Sequence, residues 1–113
     1  MNRFEKRSTL KEIEIFGNTY NVDFGRDELP LIFQEVSDEF KSLKTKDYNA
    51  TIQKQKQIYK NAINKIIGDE KASDQIFKDD DSAILHNDIY GFLFSQFNEV
   101  MADESPYSPK RIK

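Results

Sequence analysis

No cysteine occurs in the 113 residues, so disulfides, thiolate nucleophiles and cysteine-bearing zinc sites are excluded together. Histidine occurs once, at His86. A multi-histidine metal site within one chain is therefore impossible, and any Ser-His-Asp arrangement would depend on that residue alone. The four glycines, Gly17, Gly25, Gly68 and Gly91, never cluster, so neither a phosphate-cradling loop nor a dinucleotide fingerprint exists. No apolar run approaches the length of a membrane span, and the charged start, Met1 to Arg7, is not followed by the apolar stretch of a secretory signal. Membrane partners are not expected, and a cytoplasmic location is.

What the chain does have is aromatic side chains, nine Phe and five Tyr, in a composition that is only 37% hydrophobic and 33% charged. A chain of this length supports one core and not two. Charge is unevenly spread: residues 1–40 sum to −4, 41–67 to +6, 68–104 to −8 and 105–113 to +3. A basic segment between acidic ones fits a mixed surface or a head-to-tail self-contact better than a nucleic-acid footprint.

Residues 9–25 alternate apolar and polar on both sides of Gly17-Asn18, the pattern of a β-hairpin. A two-residue loop there sets Ile15 opposite Tyr20 and Ile13 opposite Val22, with Ile13, Ile15, Tyr20, Val22 and Phe24 on one face. A lone hairpin is marginal in water, so helices must cover that face. Asp27 then offers an N-cap, and Leu29, Ile32, Phe33, Val36, Phe40 and Leu43 follow at helical spacing. Asp47 can cap a second helix over about 48–67, which carries Tyr48, Ile52, Tyr59, Ala62, Ile63, Ile66 and Ile67 and ends at Gly68. Its polar run Gln53 to Gln57 places its first half clear of the core. A short helical piece within 69–77 would bury Ala72, Ile76 and Phe77. The last helix, about 83–101, has two apolar stripes: Leu85, Ile89, Phe92, Leu93 and Val100, and Tyr90, Phe94, Phe97 and Met101. The second stripe needs either another helix of the chain or a neighbouring subunit.

The fold class is therefore α+β, mainly α: an N-terminal β-hairpin and three to four helices in one domain over 9–101, between a flexible N-terminus (1–8) and a flexible tail (102–113). For chemistry, an EF-hand aligned on Asp79 would put Ile84 where the loop needs Gly and Tyr90 where it needs Glu. The Asp79-Asp80-Asp81 loop reads as a solvated connection. His86 sits in the first turn of a helix, no particular place for a base. No catalytic residue, metal ligand or cofactor site is assigned, and no enzyme is expected.

The stretch from Glu12 to Gly25 (EIEIFGNTYNVDFG) followed by Leu29-Pro-Leu-Ile-Phe33 on a helix resembles the tail assembly chaperones of long, non-contractile-tailed phages and prophages of Gram-positive bacteria. Residues 66–77 (IIGDEKASDQIF), leading into a Phe-rich helix, are similar to the same family. Together these cover roughly residues 10–101. The resemblance implies a non-enzymatic, self-associating protein in the bacterial host cytoplasm that binds the tape-measure protein and the major tail protein during assembly. Its expected contact residues are Phe33, Phe40, Tyr90, Phe94, Phe97 and Met101. The alternative, from another class, is a small nucleic-acid-associated regulatory protein using the Lys-rich helix 48–67. That helix has no arginine to read guanine in a bidentate way, so nucleic acid is not the expected partner.

Overall fold

The computed structural model describes residues 3–4, 6–44 and 46–102. A two-stranded antiparallel hairpin, β1 (Leu10–Ile15) and β2 (Asn18–Asp23), is followed by α1 (Glu28–Lys41), α2 (Tyr48–Ile67), α3 (Ala72–Ile76) and α4 (Ala83–Ala102). The architecture is α+β and mainly α, as the patterning predicts. The tail beyond Ala102 lies outside the described residues.

The hairpin's buried face is the expected one, but its register is shifted by two residues. Ile15 lies opposite Asn18, Ile13 opposite Tyr20 and Lys11 opposite Val22. The turn is Phe16-Gly17, not Gly17-Asn18, with φ of 51° and 79°. A two-residue loop with both central residues at positive φ favours glycine at the second, and Gly17 takes that place. Phe16 is thereby forced into the left-handed region, where a side chain costs about 1–2 kcal/mol. Phe16 is also exposed, so packing offsets little of that cost. Asn tolerates this conformation better, and Phe16→Asn is expected to raise stability by about 1 kcal/mol, or roughly 4–8 °C in Tm for a domain of this size. A thermal melt followed by circular dichroism checks it.

The helix α2 begins and ends where its caps dictate, whereas α1 and α3 begin without a side-chain cap. Asp47 is extended, and its carboxylate accepts from the Asn49 and Ala50 amides at 3.0 and 3.3 Å, satisfying two of the first-turn donors of α2. Gly68 closes α2 at φ 83°. Asp27 occupies the cap position of α1 but makes no side-chain cap, because its backbone is already helical. Arg26 instead ties the hairpin exit to the end of α2, donating to the Lys65 carbonyl at 3.1 Å and to that of Ile66.

The core gathers Ile13, Ile15, Tyr20, Val22 and Phe24 of the hairpin segment, Leu29, Ile32 and Val36 of α1, Ile58, Ala62, Ile63 and Ile66 of α2, and Ile89, Leu93 and Val100 of α4. The helix α2 packs against α1, α3 and α4. Its first turns project from this core, as the polar run Gln53 to Gln57 predicts, and Tyr48, although it falls on the helix's apolar stripe by spacing, is 77% exposed there. Ile58, left out of the expected stripe, is buried instead. Phe92 is exposed rather than in the core, since it sits a hundred degrees round α4 from Leu93. Lys11 binds Glu99 at 2.8 Å and Gln96 at 3.2 Å, and the Arg7 guanidinium donates to the Val100 carbonyl, fixing the hairpin along α4.

Candidate functional site

On α1, Pro30, Phe33, Gln34 and Ser37 form a stripe beside the buried one, and on α4 Tyr90, Phe94 and Phe97 recur at i, i+4 and i+7. Both helices pack on α2, and an open groove of about 530 Å³ is lined by these seven residues. Phe33 spans it. Its ring lies 6.0 Å from Tyr90, 4.9 Å from Phe94 and 5.0 Å from Phe97, edge-on to all three. Such pairings add roughly 0.5–1.5 kcal/mol each beyond the area they bury.

The rings continue inward. Tyr90 lies 5.1 Å from Tyr59, which lies 5.0 Å from Phe40, so six aromatic side chains run across three helices. The Tyr59 hydroxyl donates to Asn87 Oδ1 at 3.0 Å. Burial, and then the nearby Tyr59, push the Tyr90 phenol up to about 12, and burial raises Tyr59 as well. Both are neutral phenols at any physiological pH. The groove therefore presents apolar faces and short neutral polar groups, and what it can do chemically is desolvate a partner's side chains.

Of the six residues expected to contact partners, Phe33, Tyr90, Phe94 and Phe97 converge here. Phe40 joins them only through Tyr59 and faces a separate hollow of about 330 Å³ with Gln55, Lys56, Ile84 and Asn87. Met101 is on the same stripe of α4 but outside the groove. Sequence reasoning missed the other wall, Pro30, Gln34 and Ser37, although their spacing places them beside Phe33.

The Lys-rich helix is largely engaged within the chain. Lys60 and Lys56 reach Asp81 at 3.0 and 3.6 Å, and Lys65 reaches Glu35 at 3.3 Å. The Lys60 contact holds the Asp81 carboxyl below its ordinary range. The uneven charge along the sequence is thus partly satisfied between α1, α2 and the loop before α4.

His86 is fully buried, which its place in a first turn did not foretell. Its ring stacks on Phe77 at 3.7 Å with planes 2° apart, and Nδ1 lies 2.7 Å from the Ser82 carbonyl. A carbonyl only accepts, so Nδ1 carries the proton. Nε2 meets no hydrogen-bond partner among the described residues, and Asp81 Oδ1 is 3.4 Å away. Among the described residues no cluster of three or more His, Asp or Glu could hold a metal ion, and no helix is long and apolar enough to cross a membrane. Compared with protein-family models, curated proteins and solved structures, the chain matches none.

Proposed function

We propose that the chain is a tail assembly chaperone of the long, non-contractile-tailed phage type, a self-associating protein without catalytic activity that holds the tape-measure and major tail proteins during assembly. The observation that carries this reading is the aromatic groove between α1 and α4. It is open along its length, lined by four aromatic residues, and edged by the neutral Gln34 and Ser37. A cleft of this kind accepts an amphipathic helix laid lengthwise, anchored at i, i+3 or i+4, and i+7. A tape-measure protein, read as a very long helical chain, offers that pattern many times. Support also comes from the element order of hairpin, long helices, short helix and aromatic last helix, which is what the family resemblance implies.

Calorimetric titration with tape-measure segments tests the reading. Ser37 is exposed at the groove wall and outside the core, so Ser37→Trp fills the cleft while leaving the fold intact. The variant is expected to melt like the parent and to bind a tape-measure helix at least tenfold more weakly, about 1.4 kcal/mol. Unchanged affinity in a normally folded variant would reject the groove as the site.

A further inference from the structure

The described residues leave the aromatic groove open, and the chain carries beyond them a segment with the chemistry to fill it. Phe94 is 41% exposed, and Met101, one turn past Phe97 on the same stripe, is 48% exposed, so apolar surface continues from the groove to the end of α4. Eleven residues follow Ala102, and among them Pro106-Tyr107-Ser108-Pro109 is a P-x-x-P sequence. Two prolines three apart favour the polyproline II conformation, whose three-residue turn puts both rings on one side. Segments of this kind dock on aromatic-lined grooves, because a chain already extended loses little entropy on binding. We infer that residues 106–109 dock in the groove of their own chain, and that a helix of another protein must displace them to enter. The inference rests on the reading of that groove as a docking site and adds its regulation.

Direction and length fit. Phe33 stands against Phe94 and Phe97, whereas Phe40 shares a hollow with Ile84 and Asn87, so α1 and α4 run antiparallel. The groove therefore extends from Phe97, near the end of α4, back to Tyr90. Phe97 is about 8 Å along the helix axis from Ala102, and Asp103, Glu104 and Ser105 can reach about 10 Å. From Phe97 to Tyr90 is a further rise of about 10 Å, and Pro106 to Pro109 span about 9 Å in polyproline II. One proline ring then falls beside Phe97 and the other beside Tyr90, with Phe33 and Phe94 between them.

Charge favours the same placement. Lys110, Arg111 and Lys113 emerge level with the second half of α1, where Asp38 is exposed and accepts from Gln34 of the groove wall at 2.9 Å. The helix α1 sets four acids against Lys41, and α4 has Asp88 and Glu99 with no cation. The basic end of the tail thus meets a surface of net negative charge. A linker this short holds the tail at an effective concentration in the millimolar range, so a contact too weak to persist between separate molecules suffices within one. A helix competing for the groove then binds with an affinity reduced by the open fraction.

The chain has no cysteine, so a nitroxide on Ile112→Cys labels the full-length protein at one place. Asn87 is about 22 Å along α4 from Ala102, so broadening of its signal reports docking and not mere attachment. Magnetic resonance of the labelled protein is expected to show the strongest broadening at Ser37, Asp38 and Asn87. Pro106→Ala with Pro109→Ala should abolish it and bind a tape-measure helix at least threefold more tightly than the parent. Broadening centred on Ala102, broadening that survives the proline substitutions, or broadening equally strong with nitroxide and isotope on different molecules would overturn the docked tail, as would equal affinity of parent and double variant for the helix. Broadening at the far end of the groove that the proline substitutions abolish, with the tape-measure helix binding neither protein, would uphold the docked tail and reject the tape-measure reading.

Discussion

Leu93→Ala is expected to destabilise the fold by about 3–4 kcal/mol, the upper part of the range for a fully enclosed leucine. Leu93 has no exposed surface and lies on the buried stripe of α4 between Ile89 and Val100, where α4 meets α2. Truncation removes the transfer free energy of the lost methyl groups and leaves a cavity, because neighbours on rigid helices collapse only partly. Domains of this size retain about 5–15 kcal/mol in total. A loss of this order lowers Tm by more than 10 °C, at roughly 4–8 °C per kcal/mol. Leu31→Ala supplies the contrast: Leu31 is 70% exposed, and its removal should stay within about 0.5 kcal/mol. Urea unfolding of both variants checks the assignment of the core face of α4. Equal losses in the two would refute it.

The second large effect is acid lability through His86. Burial lowers the imidazole's affinity for a proton, and this outweighs the Ser82 carbonyl and the Asp81 carboxylate, which raise it. The unfolded chain therefore takes up a proton before the folded one does. Stability is full above the unfolded value, near 6.5, and falls as pH drops below it, by up to about 1.4 kcal/mol per pH unit, until the lowered folded value is reached. Asp81 acts later and is distinguishable. Its folded value is lowered, so its contribution is present above about 3.8 and disappears only as pH falls through that lower value. His86 is the sole histidine, so the slope between pH 6.5 and 5 belongs to it. His86→Phe should flatten that slope. It keeps a ring on Phe77, and the Ser82 carbonyl retains the His86 backbone amide as a partner at 3.2 Å. Urea midpoints at pH 7.5, 6.5 and 5.5 for both proteins measure this, and a slope that survives in the variant would contradict the account.

Much of this was legible in the sequence where a residue type serves one local purpose. Asp47 and Gly68 bracket α2 because one supplies acceptor oxygens at the start and the other tolerates a left-handed backbone at the end. The hairpin's buried face was legible from alternation alone, since a shift of two residues keeps every side chain on its face. The register itself was not, because it depended on a phenylalanine accepting positive φ so that Gly17 could stand second in the turn. Spacing put Tyr48 on the apolar stripe of α2, but the polar run Gln53 to Gln57 already marked the first turns as lying clear of the core, and Tyr48 is exposed with them. The burial of His86 had no local sign, because it is created by Phe77 folding back from the end of α3.

The groove shows the same division. The aromatic stripe of α4 and Phe33 were evident from helical spacing. Their meeting was not, because it requires α2 to hold α1 and α4 at a separation that one ring can span. Phe40 and Met101 shared the right faces but fall at the two margins of that span. The lysines of α2 suggested a basic surface, and the fold commits three of them to Asp81 and Glu35.

The central claim is that the cleft between α1 and α4 holds a helix of another protein. Its most direct test is a nuclear magnetic resonance titration of the isotope-labelled chain with a tape-measure helical segment, following aromatic and backbone signals. The account predicts saturable shifts concentrated at Phe33, Gln34, Ser37, Tyr90 and Phe97, with Lys54 and its neighbours on the outer face of α2 unmoved. Shifts confined to that lysine-bearing face, or none at saturating segment, would contradict it.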